Sequence, residues 1–194
     1  MATDKETLDG KILALYGDVA PRLNKLLHYA NYCWETNISR QGLAGAIGCD
    51  PRTIDLFADG NIKRYNLYTL AKLRWYFGCR LVDLLRRIPP AGLLDADART
   101  AEGEPRLSRA APPGERPPAH LVVATRLPEL LARYNEQELA SALPLHRKAI
   151  KTLAARQTTR IARVTLAALC TFLSEREGRQ VGIEDILIDS PSPN

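Results

Sequence analysis

The 194-residue sequence predicts an all-α protein made of two small multi-helix modules joined by a proline-rich linker. Three observations carry that expectation. Apolar residues recur at helical spacing through both ends of the chain, the two ends match one another at a constant offset of 96 residues, and seven of the 13 prolines crowd between Pro89 and Pro118. With 45% hydrophobic and 25% charged residues the chain has the composition of a packed globular protein, and its length suits one medium domain or two small ones.

Proline sets the boundaries. Repeated Pro favours an extended spacer, and Asp, Glu and Arg of both signs keep it solvated, so residues 89–119 read as a linker between modules at 1–88 and 120–194. The repeat then relates the modules: QGLAGAIGCDPRTIDLFADGNIKRYNLYTLAKLRWYF (41–77) and QELASALPLHRKAIKTLAARQTTRIARVTLAALCTFL (137–173) match at 11 of 37 positions without a gap. Most matches are small or apolar residues, the kind that sets helix packing. Upstream, RLNKLL (22–27) faces RLPELL (126–131); downstream, LVDLL (81–85) faces GIEDIL (182–187).

In the first module a helix bearing Tyr29, Tyr32 and Trp34 comes first, its aromatics read mainly as core and partly as a possible dimer surface. Ser39 is then placed to cap a short helix from Arg40 to Ile47, with Leu43, Ala44 and Ile47 on one face, and Gly48 stops it. Asp50 and Pro51 restart the chain as a second helix to about Ala58, because Asp caps free amides and Pro suits the first turn. Ile54, Phe57 and Ala58 would point inward; Arg52, Thr53, Asp55 and Leu56 outward. A polar loop, DGNIKRYN, leads to a longer helix from Leu67 to Phe77 and a final turn at Leu81 to Arg87. Two short helices on a three-residue turn are a helix-turn-helix pattern. The second module repeats the order: helix 137–143, a Pro144 turn, and a helix from Arg147 to about Ala155 whose inward face is Ile150, Leu153 and Ala154. Arg147, Lys148, Lys151 and Thr152 would face outward.

Charge separates the two modules. The formal net charge is +5, distributed as +4 over residues 1–88, −1 over the linker and +2 over the rest. Six basic residues and no acidic one lie between His146 and Arg163, whereas the matching stretch from Asp50 to Arg64 has three of each sign. An acidic partner for the second module follows from that local excess more than from the total.

Other functions lack their residues. No run approaches 18 uninterrupted apolar residues, and the start, MATDKETLDGK, has no basic and apolar leader, so a cytoplasmic protein is expected, with no membrane contact. Cys33, Cys49, Cys79 and Cys170 have no metal-ligand spacing and are expected as reduced thiols, Cys170 as a buried small hydrophobe. His28, His120 and His146 are too scattered for a ligand set, His146 being placed to cap or flank the second module's outward helix. No glycine-rich phosphate loop, HExxH or GxSxG is present, and Glu184 and Asp185 sit where a short helix needs capping. No catalytic group, cofactor or metal site is expected.

The order LAxxxG, turn, xTIxxxxxG, basic loop, TLxxL and DLL resembles the phage-repressor or XRE-like (Cro-type) helix-turn-helix family, in two tandem copies. Leu43 to Gly48, Thr53 to Gly60, Thr69 to Leu73 and Asp83 to Leu85 carry the resemblance in the first module. Leu139 to Leu143, Ile150 to Ala154, Thr165 to Cys170 and Asp185 to Leu187 carry it in the second, which departs at Pro144, where the turn Gly belongs, and at Arg156, after the second helix.

The resemblance implies a nucleoid-associated transcriptional regulator, a repressor by family type, that binds double-stranded DNA with the second helix of each pair in the major groove. Arg147, Lys148, Lys151 and Thr152 would lie over base edges, and Gln137 would touch phosphate. Arg156, Thr158, Thr159, Arg160 and Arg163 would grip the flanking backbone. In the first module Arg40, Gln41, Arg52, Thr53, Lys63 and Arg64 are the corresponding contacts, with Asp55 able to accept from cytosine N4. One chain could act as an internal pseudo-dimer on half-sites about 34 Å apart, a distance the 31-residue linker can span; alternatively the N-terminal module makes a homodimer. A rival class is a protein-interaction adaptor, an antitoxin or an accessory subunit of a nucleoprotein machine, with the N-terminal module binding protein.

Overall fold

In the computed structural model, which describes residues 15–88, 90, 107, 116–118, 121, 123–143, 145–155 and 158–189, one succession of elements occurs twice. The first copy runs β1 (Asp18–Pro21), α1 (Leu23–Cys33), α2 (Arg40–Ile47), α3 (Pro51–Ala58), β2 (Arg64–Asn66), α4 (Leu67–Phe77), α5 (Leu81–Leu84) and β3 (Leu85–Ile88). The second runs β4 (Val123–Thr125), α6 (Leu127–Leu131), α7 (Glu136–Ala142), α8 (Arg147–Ala154), β5 (Arg160–Ala162), α9 (Arg163–Glu177), α10 (Ile183–Ile186) and β6 (Leu187–Asp189). Most of the linker assigned to 89–119 lies outside the described residues.

Local chemistry places the helix ends. Ser39 Oγ accepts from Gly42 N at 3.0 Å, and Asp50 Oδ1 accepts from Arg52 N at 2.8 Å ahead of Pro51. Gly48 closes α2 at φ +60°, a left-handed conformation that costs glycine little. Its counterpart in the repeat is Pro144, which lies outside the described residues; there Leu143 leaves α7 in an extended conformation, so the second turn is built differently. Asp83 and Asp185 begin α5 and α10 alike, accepting from Arg80 N at 3.1 Å and Gly182 N at 2.8 Å.

The all-α expectation is corrected by six short strands among the described residues, paired antiparallel in three ribbons. Residues 81–87, expected as one final turn, divide into α5 and most of β3, and the polar loop ends in β2. Two ribbons close each copy on itself, β1 with β3 and β4 with β6. The third joins the copies: Tyr65 stands opposite Ile161, Arg64 opposite Ala162 and Asn66 opposite Arg160. Tyr65 and Ile161 are the same position of the repeat, so this ribbon is symmetric about its centre. Its flanking hydrogen bonds repeat the symmetry, Leu67 N donating to Thr159 O and Arg163 N to Lys63 O, each at 3.0 Å.

The surrounding packing obeys the same pseudo-two-fold relation. Helix α9 packs on β1 as α4 packs on β4, and α5 meets α10. Leu23, Leu43, Ile54, Leu70 and Leu84 of the first copy and Leu127, Leu139, Ile150, Leu166 and Ile186 of the second all belong to one buried apolar cluster. The copies therefore touch directly, through strand pairing and a continuous core, with the spacer as an additional covalent tie. Cys170 is fully buried in that core, with Sγ 3.8 Å from Gly182 O, and burial pushes its thiol up to about 12, leaving it protonated and inert.

Candidate nucleic-acid interface

The second helix pair presents an outward cationic face. Helix α8 anchors itself through Ile150 and Leu153, both buried, and this leaves Arg147, Lys148, Lys151 and Thr152 exposed on the opposite side. No ion pair to Arg147 or Lys148 occurs among the described residues, while Lys151 Nζ lies 3.6 Å from Glu136 Oε1. Thr152 bonds back to Lys148 O at 2.9 Å, and Thr158 bonds to Thr152 O at 3.1 Å, which ties the loop after α8 to the helix end. His146 flanks the helix without a side-chain cap.

Gln137 is exposed in the first turn of α7, as Gln41 is in the first turn of α2, so the two phosphate-contact candidates hold equivalent places. Glu136 and Glu138 flank Gln137, but each is engaged, Glu136 by Lys151 and Glu138 by Arg176 at 2.5 Å. Pairing lowers the repulsion those carboxylates would exert on a phosphate.

The first helix pair has the same frame and a different surface. Ile54, Phe57 and Ala58 bury the inner side of α3; Arg52, Asp55 and Leu56 are exposed, and Thr53, expected outward, is half-buried. Arg40 reaches from α2 to Asp59 at 2.8 Å and Asp55 at 3.5 Å, and also donates to Asn24 Oδ1 at 3.1 Å. Arg40 and Asp55, expected as separate contacts with phosphate and base, are thus joined to each other. Lys63 and Arg64 are exposed, and strand alternation turns Arg64 and Arg160 to the outer face of the central ribbon while Tyr65 and Ile161 face the core.

One expected contact stands elsewhere. Arg163, assigned to the DNA backbone from its place in the basic run, is folded into the seam between the copies. Its guanidinium forms a two-pronged ion pair with Asp18 and donates to Gly60 O at 2.6 Å. Burial opposes its charge, but the bonds to Asp18 and the Asp18 charge outweigh it and raise its pKa. Thr159 is exposed, and its carbonyl accepts from Leu67 N beside the central ribbon. Arg156 lies outside the described residues.

Lys72 is the positioning residue that sequence reasoning passed over. Although buried on α4, its ammonium donates to Gly48 O at 3.0 Å and lies 4.5 Å from the centre of the Tyr68 ring, bracing the turn between α2 and α3. A lone lysine inside TLAKLRWYF was the available signal. Of the aromatics, Trp34 stacks on Phe77 at 6.1 Å and meets Tyr76 edge-on at 6.4 Å, as core residues do, while Tyr32 is 80% exposed.

Among the described residues no helix is long and apolar enough to cross a membrane, and no group of three or more His, Cys, Asp or Glu is placed to hold a metal ion. Comparison of the chain with curated proteins and with solved structures finds no match. A family profile does match, that of the Cro/C1-type helix-turn-helix DNA-binding domain, over residues 30–90. These residues run from the end of α1 through β3 and contain Ser39, Gly48, Asp50 and Lys72, the groups that set the α2–α3 turn, so this part of the chain is similar to a Cro/C1-type helix-turn-helix domain.

Proposed function

We propose that the chain is a sequence-specific double-stranded DNA-binding regulator of transcription in which both helix pairs meet the duplex. The profile match at residues 30–90 supports DNA binding by the first copy, and the repeated element order extends the reading to the second. The observation that carries it is the exposed face of α8, where Arg147, Lys148 and Lys151 stand on one side of a helix fixed from behind by Ile150 and Leu153. Arg and Lys there donate to guanine O6 and N7, while Gln41, Gln137, Arg52, Lys63, Arg64, Thr158 and Arg160 serve the backbone.

The symmetric pairing of β2 with β5 supports an internal pseudo-dimer, with one chain supplying both halves of a two-fold arrangement. Because the two outward helices differ, the half-sites differ, and the operator is non-palindromic. Selection from random duplex DNA at 50 and 200 mM salt tests this. Enrichment of one asymmetric site is expected, with four to six phosphate contacts giving roughly a 10²- to 10³-fold loss of affinity between those salts. An absence of enriched duplex at either salt contradicts the reading.

A further inference from the structure

We infer that the seam between the two copies is a pairing code: each half is built to accept the other half, and to reject a second copy of itself. The ribbon at the centre of the seam is indifferent to which copies meet, since its register is the same from either side. Discrimination comes from the side chains around it, each of which requires one partner from each copy.

Two sets of contacts show this. The Asp18–Arg163 ion pair is largely enclosed, the side chains being 16% and 20% exposed. Arg87 of β3 crosses to the second copy and donates to Val181 O at 2.7 Å, Ser174 Oγ at 3.1 Å and Thr171 Oγ1 at 3.3 Å.

Neither set survives self-pairing. In the repeat Arg163 corresponds to Leu67, Ser174 to Gly78 and Thr171 to Trp75. Two first copies would bury Asp18 against a leucine and leave Arg87 facing a tryptophan and a glycine. Strand register equates Val19 with Val123, so Asp18 corresponds to Val122 in sequence, and two second copies would set Arg163 against a valine. An enclosed charge without its partner is strongly unfavourable, so both self-pairings are penalised and only the mixed pairing gives Asp18, Arg163 and the terminal nitrogens of Arg87 their partners.

Full-length chains carrying charge exchanges test the code. Asp18→Arg and Arg163→Asp each put like charges at the seam of their own chain. Coexpressed with different tags, the two variant chains should copurify as a one-to-one dimer in which both seams join unlike charges. Either variant alone should self-associate on the order of tenfold less than the mixture. Carrying both substitutions, a single chain should return to the monomer expected of the parent, as read by native mass spectrometry. The inference is overturned if the variant chains do not copurify, or if either alone behaves as the parent or dimerises as readily as the mixture.

Discussion

In the first helix pair Arg40 of α2 lies 3.5 Å from Asp55 of α3; at the equivalent positions of the second, Glu136 of α7 lies 3.6 Å from Lys151 of α8. The same bridge is made with its charges exchanged. That exchange moves the cation from the first helix of the pair to the second while leaving the helix-to-helix tie in place. Exposed pairs of this kind contribute at most about 1 kcal/mol to stability, so their sign is free to be set by what the surface meets. Within the outward helices the contrast extends along the face: Arg52, Asp55 and Leu56 in one copy stand against Lys148, Lys151 and Thr152 in the other.

If the second copy supplies most of the base and phosphate contacts, removing its face gives the largest effect. Replacing Arg147, Lys148 and Lys151 together by Ala should lower affinity for the selected duplex by at least about 100-fold, three contacts at about 1–3 kcal/mol each, without moving the thermal melting curve. Arg52→Ala should cost about tenfold or less by the same fluorescence anisotropy assay. The opposite ranking would mean that the first copy leads recognition.

The turns supply the next contrast. Lys72→Ala gives the first copy the residue that the second has at Ala168, and removes the charged brace on Gly48 O. A loss of about 1.5–3 kcal/mol in unfolding free energy is expected by denaturant titration. An unchanged value would mean that Gly48 holds the turn alone.

Smallest of the three is the charge exchange itself. Asp55→Lys makes α3 resemble α8 and should raise affinity by up to about tenfold, steepening the salt dependence by about one further counterion. Lys151→Asp should do the reverse. Equal and negligible changes in both would show that these positions do not face the duplex.

Much of the fold was legible because its signals are local. Ser39, Asp50–Pro51 and Gly48 cap and end helices through neighbours two to four residues away, and the helix bounds of α2, α3 and α4 follow directly. The strands were not legible. Each is three or four residues long, too short for alternation to register, and β1 finds its partner more than 60 residues later. The repeat announced two equivalent copies but not that they would pair across β2 and β5, since the ribbon residues Arg64, Tyr65 and Asn66 sat inside a polar loop. Exposure on α8 was legible from helical spacing. The place of Arg163 was not, because a basic run carries no mark of which member meets an Asp 145 residues away. Arg40 illustrates the same limit, its two carboxylate partners, Asp55 and Asp59, lying on α3 and at its end.

One chain with two unlike helix pairs is expected to read one asymmetric site. Footprinting on the selected duplex, combined with native mass measurement of the complex, tests it most directly. One chain per duplex, protecting two dissimilar half-sites about one helical turn or 34 Å apart, is the predicted result. Two chains on a palindrome would contradict it.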